Sequence, residues 1–280
     1  MTTDPHASLQ PIFAARFADP PTTHEDAADT DLIRSMAGRG SCRAFLDDPV
    51  PAPLIETLCA TALAAPTKSD LQQRDIVLIQ SSDIRQRLAE LVAGQAWVAD
   101  APMIAVFCGN NRRQRLLHDW HGVPFANDHL DALFNAVGDA AIALGAFVTA
   151  AEALGLGCCP ISAVRNEAAA VSELLQLPSH VFPFAGLAFG YPASAPLISM
   201  RLPLSVTCHV DRYQEAGLRD AVQTYDRARA ETQPYDKQRF LATFGDDPDY
   251  GWSTDKVRQY NAPERDGFGD YIRAQGFKLD

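Results

Sequence analysis

The stretch from about Asp128 to Leu154 constrains this chain most, because it reads as one long helix crowded with small residues. Ala132, Ala136, Ala140, Ala143 and Ala151 lie along it, and Gly138 and Gly145 sit inside it. Glycine in a helix interior costs about 1 kcal/mol relative to alanine. Two of them imply close approach by another element, whether the core, a cofactor or a second subunit. Gly155 and Gly157 are placed to stop the helix.

Short apolar runs surround this helix and read as buried strands: Ile76–Ile79, Met103–Cys108 after Pro102, Cys158–Ile161 and Phe182–Phe189. Helical patterns alternate with them. Thr30 is placed to cap a short helix carrying Leu32, Ile33 and Met36. Pro51 and Pro53 open a helix with Leu54, Ile55, Leu58, Ala62 and Leu63, and Ser82 caps one with Leu88, Leu91 and Val92 inward. A further helix is expected near Asn166–Leu175, and the chain beyond Gln214 is mostly helical and charged. Interleaved helices and strands give an α+β class around one central sheet. Residues 1–28, with four prolines and an acidic cluster, read as a loosely ordered extension, and 29–280 as a single domain with a helical C-terminal extension.

A net charge of −11 argues against a nucleic-acid partner, so any phosphate must be held by a few local arginines. The six cysteines fit no zinc spacing and read as small buried hydrophobes in a reducing compartment, with no metal. No signal pattern is present and no apolar run approaches the ~20 residues of a membrane span. The expectation is a cytoplasmic protein with no membrane partner. Rossmann, P-loop, zinc-protease and nucleophile-elbow motifs are all missing, so chemistry rests elsewhere.

Four separated segments carry the case. Arg39-Gly40-Ser41-Cys42-Arg43 offers charge-assisted donors suited to a phosphate and a polar ring. Thr67-Lys68-Ser69-Asp70-Leu71-Gln72 is a polar turn between a helix and a strand. Gly155–Arg165 leads from a helix stop through small residues, leaving backbone N–H groups free to approach a flat ligand. Gly190-Tyr191-Pro192 exits a strand and is followed by a lone Arg201.

In this order and spacing, the segments resemble the FMN-dependent nitroreductase family, in particular its oxygen-insensitive NADPH nitroreductase and flavin reductase branch. The resemblance spans roughly 30–280 and is strengthened by Gly94-Gln95, by Leu177–Val181 and by Gly276-Phe277. It implies a nitroreductase-like fold, with a mixed or antiparallel central sheet flanked by helices, assembled as an intertwined homodimer. It also implies FMN as cofactor and NADPH or NADH as electron donor. A ping-pong cycle would move hydride through flavin N5 to a small oxidised acceptor, a nitroaromatic, a quinone or a free flavin, with no obligatory side-chain acid or base.

By the same resemblance Arg39, Ser41 and Arg201 hold the FMN phosphate. Arg43 lies beside N1 and O2, where negative charge develops on reduction. Thr67, Ser69, Gln72 and Gln95 contact the ring edge or ribityl chain, and the amides of Ser162 and Ala163 face N5. Arg165 stands near either the phosphate or the substrate mouth. Trp120, His121, Phe125 and Phe184 are candidate pocket residues. This chain departs from the family at Gly40 and Ser199, where a cation is usual, and at Ser162 and Ala163, where glycine is usual. Those departures keep an alternative open: a flavin-binding regulatory protein, or a dehalogenating or flavin-fragmenting enzyme on the same fold. A cysteine or zinc enzyme using Cys158, Cys159, His180 or His209 is the remaining rival.

Overall fold

All four apolar runs become strands of one sheet. The computed structural model describes residues 9–22, 30–92 and 96–280. The strands are β1 (Arg74–Ile79), β2 (Met103–Asn110), β3 (Gly157–Ile161) and β4 (Val181–Gly190), in the order β1-β2-β4-β3. Every pairing is antiparallel, with Ile76 opposite Phe107, Val106 opposite Gly186 and Cys159 opposite Ala188.

Side chains alternate across a strand, and the core follows that period of two. Ala105 and Phe107 of β2 face one layer, while Ile104, Val106 and Cys108 face the other. On the first face pack the helices Ala52–Leu63, through Ile55, Leu58 and Ala62, and Leu130–Ala153, through Ala143, Phe147 and Ala151. Phe147 meets Phe107 and Phe189 edge-on at 5.7 and 5.1 Å between ring centres, a favoured aromatic geometry. On the second face lie the helices Ser82–Leu91 and Ala168–Leu174, with Leu88 and Val171 inward. Ser81, not Ser82, caps the former by accepting from Ile84 N. The segment Arg112–His121 forms a helix that the charged sequence did not suggest.

The Leu130–Ala153 helix is long and apolar enough to cross a membrane by length and composition, against the expectation of no such run. Its place against all four strands and the Ala52–Leu63 helix makes it a core helix. The Leu177–Val181 and Gly276-Phe277 stretches meet: His180 Nε2 lies 2.9 Å from Gly276 O, and the His180 and Phe277 rings are 5.5 Å apart.

The chain divides into two compact units: Ser41–Pro196 with Arg265–Asp280 carries the sheet, and Met1–Gly40 with Leu197–Glu264 forms the other. In the latter, α1 (Leu9–Arg16) lies within the expected loose extension, yet Leu9, Ile12 and Arg16 are buried. It packs on α2 (Asp31–Gly38), whose N-cap is Thr30. The helices Leu218–Thr232 and Trp252–Gln259 meet through the Tyr225 and Trp252 rings.

Candidate functional site

Three of the sequence segments lie side by side in the sheet-bearing unit. Cys42 N donates to Cys158 O at 3.0 Å, Leu46 N to Tyr191 O at 2.8 Å and Ala193 N to Ala44 O at 2.9 Å, while Phe45 bridges Pro192. The 41–46 segment is thereby stitched across the ends of β3 and β4. Gly157 permits this, because a Cβ there would sit 2.6 Å from Cys42 Sγ. Gly157 is therefore not part of the helix stop. It opens β3, and Cys42 fills the space that the sequence reading left for a ligand. Gly155, at φ +79°, ends the helix.

Ser41 and Arg43 flank the buried Cys42 and are both exposed. The Arg43 guanidinium lies 5.9 Å from the centre of the Trp97 ring and makes no salt bridge among the described residues. A cation resting on an aromatic face keeps its charge available to a ligand.

Asp139 holds the 67–72 turn. This residue of the long core helix is 1% exposed and accepts from Lys68 N at 2.9 Å and Gln73 N at 2.8 Å. Between those bonds Ser69, Asp70 and Gln72 adopt φ of +48°, +57° and +54°. Non-glycine residues there cost of order 1 kcal/mol each and persist only when their surroundings over-determine them. Thr67 Oγ1 accepts from Gln72 N at 3.1 Å, while Ser69 and Gln72 are exposed. Buried Arg74 lies 3.9 Å from Asp139 and donates to Leu63 O at 2.6 Å, closing the end of the preceding helix. On its outer side the turn borders a cleft of about 320 Å³ that Gln72, Asp75 and Arg113 help to line.

Ser162 and Ala163 begin a short 3₁₀ turn, Ser162–Arg165, that has no side-chain cap. Arg265 Nη2 reaches Ser162 Oγ at 3.3 Å and its Nε bonds Asn166 Oδ1 at 2.8 Å. The Arg165 guanidinium donates to Phe184 O and lies 5.8 Å from that ring. Burial first, then the neighbouring Arg265 charge, pushes its pKa down. These contacts turn Arg165 onto β4.

Arg39 and Arg201 belong to the other unit, where Arg16 joins their segments. Arg16 Nη2 donates to Arg39 O at 2.5 Å and Nη1 to Ser199 O at 2.7 Å, while Arg201 N donates to Arg16 O at 2.7 Å. Ser199 supplies no cation but orients one, since its Oγ accepts from Arg201 Nη1 at 2.7 Å. Arg201 is exposed. Gln95 lies outside the described residues.

The sequence reading missed Asp139, Arg74, Arg265, Arg16 and Trp97. An acid in register with buried alanines was the available signal for Asp139. Of the candidate pocket aromatics, Trp120 is 71% exposed, and Phe125 packs under Arg115 at 4.7 Å. None of the six cysteines forms a disulfide. Cys42, Cys108, Cys158 and Cys159 are buried, but Cys208 is exposed, against the expectation for all six. Burial pushes the Cys108 thiol up to about 12, so it is an inert core residue.

Models of the nitroreductase family match residues 36–191, and of the family's C-terminal domain 199–280. The chain belongs to the nitroreductase family. It is 32% identical over 254 residues to FMN reductase [NAD(P)H] of Bacillus subtilis, covering 89% of this chain and 99% of that relative. It is 36% identical over 184 residues to an oxygen-insensitive NADPH nitroreductase of Salmonella typhimurium, covering 65% of this chain and 74% of the relative. Among solved structures, the NADPH:FMN oxidoreductase of Vibrio harveyi, complexed with NAD+, superposes with a TM-score of 0.77 at 28% identity. That match covers 88% of this chain and 98% of the Vibrio chain. This nitroreductase-family chain has the antiparallel sheet flanked by helices that the resemblance implied.

Proposed function

We propose that this chain is an FMN-dependent oxidoreductase that passes hydride from NADPH or NADH to a small oxidised acceptor by a ping-pong cycle. Nitroaromatics, quinones and free flavins are the acceptor class. The observation that carries the reading is the stitching of the 41–46 segment onto β3 and β4, which leaves Ser41 exposed beside it, with Arg43 exposed against Trp97 and in no salt bridge among the described residues.

The donor chemistry fits FMN. Arg39, Ser41 and Arg201 suit its phosphate, and Nε and Nη2 of Arg201 have no partner among the described residues. Arg43 supplies a fixed positive charge for the N1/O2 side, where reduction places negative charge. Thr67, Ser69 and Gln72, on a turn that Asp139 holds rigid, suit the ring edge or ribityl chain, with Gln95 assigned there too. The backbone of Ser162 and Ala163 is assigned to the N5 side. When bound, FMN supplies two-electron hydride chemistry, and the protein's part is positioning and electrostatics.

A second copy of this chain is the partner we assign to the long core helix. Its outer face carries Phe134, 72% exposed, and Ile142, with Gly138 and Gly145 between and beyond them. A Cβ at either glycine would meet nothing within 4 Å among the described residues, so none of those residues demands them. A homodimer packed on this face would. Sedimentation should give about twice the 30.4 kDa chain mass, and a monomer at all concentrations would remove the assignment. With no disulfide among the six cysteines, the cytoplasm is the assigned compartment.

The test of function is steady-state kinetics of the FMN-loaded protein with NADPH and NADH against a nitroaromatic, a quinone and free FMN. Parallel double-reciprocal lines with at least one acceptor are expected. Intersecting lines would reject ping-pong turnover, and no turnover with any pair would reject the reaction.

A further inference from the structure

Positions 40 and 199, next to Arg39 and two before Arg201, are the uncharged Gly40 and Ser199, and an arginine from the N-terminal helix bonds the main chain at Arg39 and Ser199. Arg16 is the last residue of α1 and is 6% exposed. Its Nε and Nη2 donate to Ala37 O at 3.2 and 2.8 Å, Nη2 also to Arg39 O at 2.5 Å, and Nη1 to Ser199 O at 2.7 Å. Its own carbonyl accepts from Arg201 N at 2.7 Å.

These bonds answer a local need. The last carbonyls of a helix have no partner within it, and α2 ends at Gly38, so the carbonyls of Ala37 and Arg39 need outside donors. A guanidinium at a helix C-terminus is favourable both as donor and as charge. The same planar fork reaches Ser199 O, so one rigid group fixes the distance between the backbone bearing Arg39 and the backbone bearing Arg201. α1 is seated well enough to act as the anchor: Leu9 and Ile12 are buried, and Ile12 Cδ1 lies 3.6 Å from where a Cβ on Gly38 would be.

We propose that Arg16 is a positioning residue for the phosphate end of the cofactor. It sets the spacing of Arg39 and Arg201, and from the N-terminal segment it supplies positive charge that positions 40 and 199 lack. The inference rests on the assignment of Arg39 and Arg201 to the FMN phosphate. It gives α1 a role in selecting a phosphorylated flavin over an unphosphorylated one.

The test compares dissociation constants of the full-length apoprotein for FMN and for riboflavin, read by quenching of flavin fluorescence. Riboflavin lacks the phosphate, so the ratio of the two constants isolates the phosphate contribution. Arg16→Gln should weaken FMN binding about ten- to hundredfold, the range expected for loss of a charged hydrogen-bonding group, and leave riboflavin binding unchanged. Arg201→Ala should collapse the ratio. Ile12→Ala, which loosens α1 but keeps Arg16, should lower the melting temperature and keep most of the ratio. If Arg201→Ala collapses the ratio while Arg16→Gln preserves it, Arg16 is structural only and the phosphate assignment stands. If neither variant changes the ratio, the phosphate assignment fails and the inference falls with it. Should Arg16→Gln fail to fold, Arg16→Lys carries the same comparison. It keeps the charge and the apolar stem but loses the planar fork, so a lower ratio is expected and an unchanged one overturns the spacing argument.

Discussion

The turn over Thr67–Arg74 and the paired segments bearing Arg39 and Arg201 are both held by one buried charged side chain from a distant helix, but of opposite sign. In the turn, Asp139 accepts from two main-chain N–H groups. In the arginine segments, Arg16 donates to three main-chain carbonyls. The sign follows from which backbone groups the local geometry leaves over. A turn with residues at positive φ curls its N–H groups inward and needs an acceptor, whereas a helix end exposes carbonyls and needs a donor. The anchors also differ in rigidity. Asp139 sits midway along a 24-residue core helix, while Arg16 ends an eight-residue one. Changing the first should therefore cost mostly stability, and changing the second mostly ligand selectivity.

The largest effect should come from Asp139→Ala. It removes both acceptors and strands Arg74 in the core, at a cost of about 3–5 kcal/mol of unfolding free energy measured in urea. Asp139→Asn, which keeps one acceptor oxygen, should recover part of that. A loss below about 1 kcal/mol for the alanine variant would break the comparison, since the turn would not depend on its carboxylate. Arg16→Gln comes next, at about 1–3 kcal/mol, because its carbonyl partners lose a buried donor. A loss matching that of Asp139→Ala would mean that the two anchors are equally structural.

A third device, steric rather than electrostatic, docks the 41–46 segment. Gly157→Ala would place a methyl 2.6 Å from Cys42 Sγ and should cost about 1–3 kcal/mol by overpacking. Cys42→Ala in the same chain should restore much of it. Absence of rescue would mean that the backbone bonds alone seat the segment.

The smallest effect belongs to a carboxylate near the surface. Asp128 is paired with Arg115 and, at 2.8 Å, with Lys278. The hydrogen bond from Arg115, aided by Lys278, holds its pKa down from 3.8 to about 2. A depressed carboxylate pKa gives stability that is present above the unfolded value and lost as pH falls through the folded one. Asp128→Asn should therefore flatten the stability profile between about pH 4 and pH 2 and cost little at pH 7. An unchanged acid limb would show that the pair contributes nothing.

The sheet was legible because each strand is a bounded apolar run: Ile76–Ile79 lies within Arg74–Ile79 and Phe182–Phe189 within Val181–Gly190. The four candidate segments stand out in the sequence through residue types that suit a phosphate and a flat ring. Their holders do not. Asp139 and Arg16 act through main-chain atoms far away in sequence, and a lone charge at a core position gives no hint of which loop it will meet. The helix Arg112–His121 escaped because it buries no residue and so shows no apolar stripe. Cys42 over Gly157 escaped because close packing leaves no periodic trace. In Leu32, Ile33 and Met36 the spacing was right, but the side chains are exposed in this protomer.

We propose that these residues hold FMN for hydride transfer from a pyridine nucleotide. The most direct test is anaerobic titration of the FMN-reconstituted protein with NADPH and with NADH, followed by visible absorbance. About one equivalent of at least one nucleotide should bleach the flavin bands, and a quinone should restore them. Flavin that binds tightly yet stays oxidised in excess of both nucleotides would contradict the proposal.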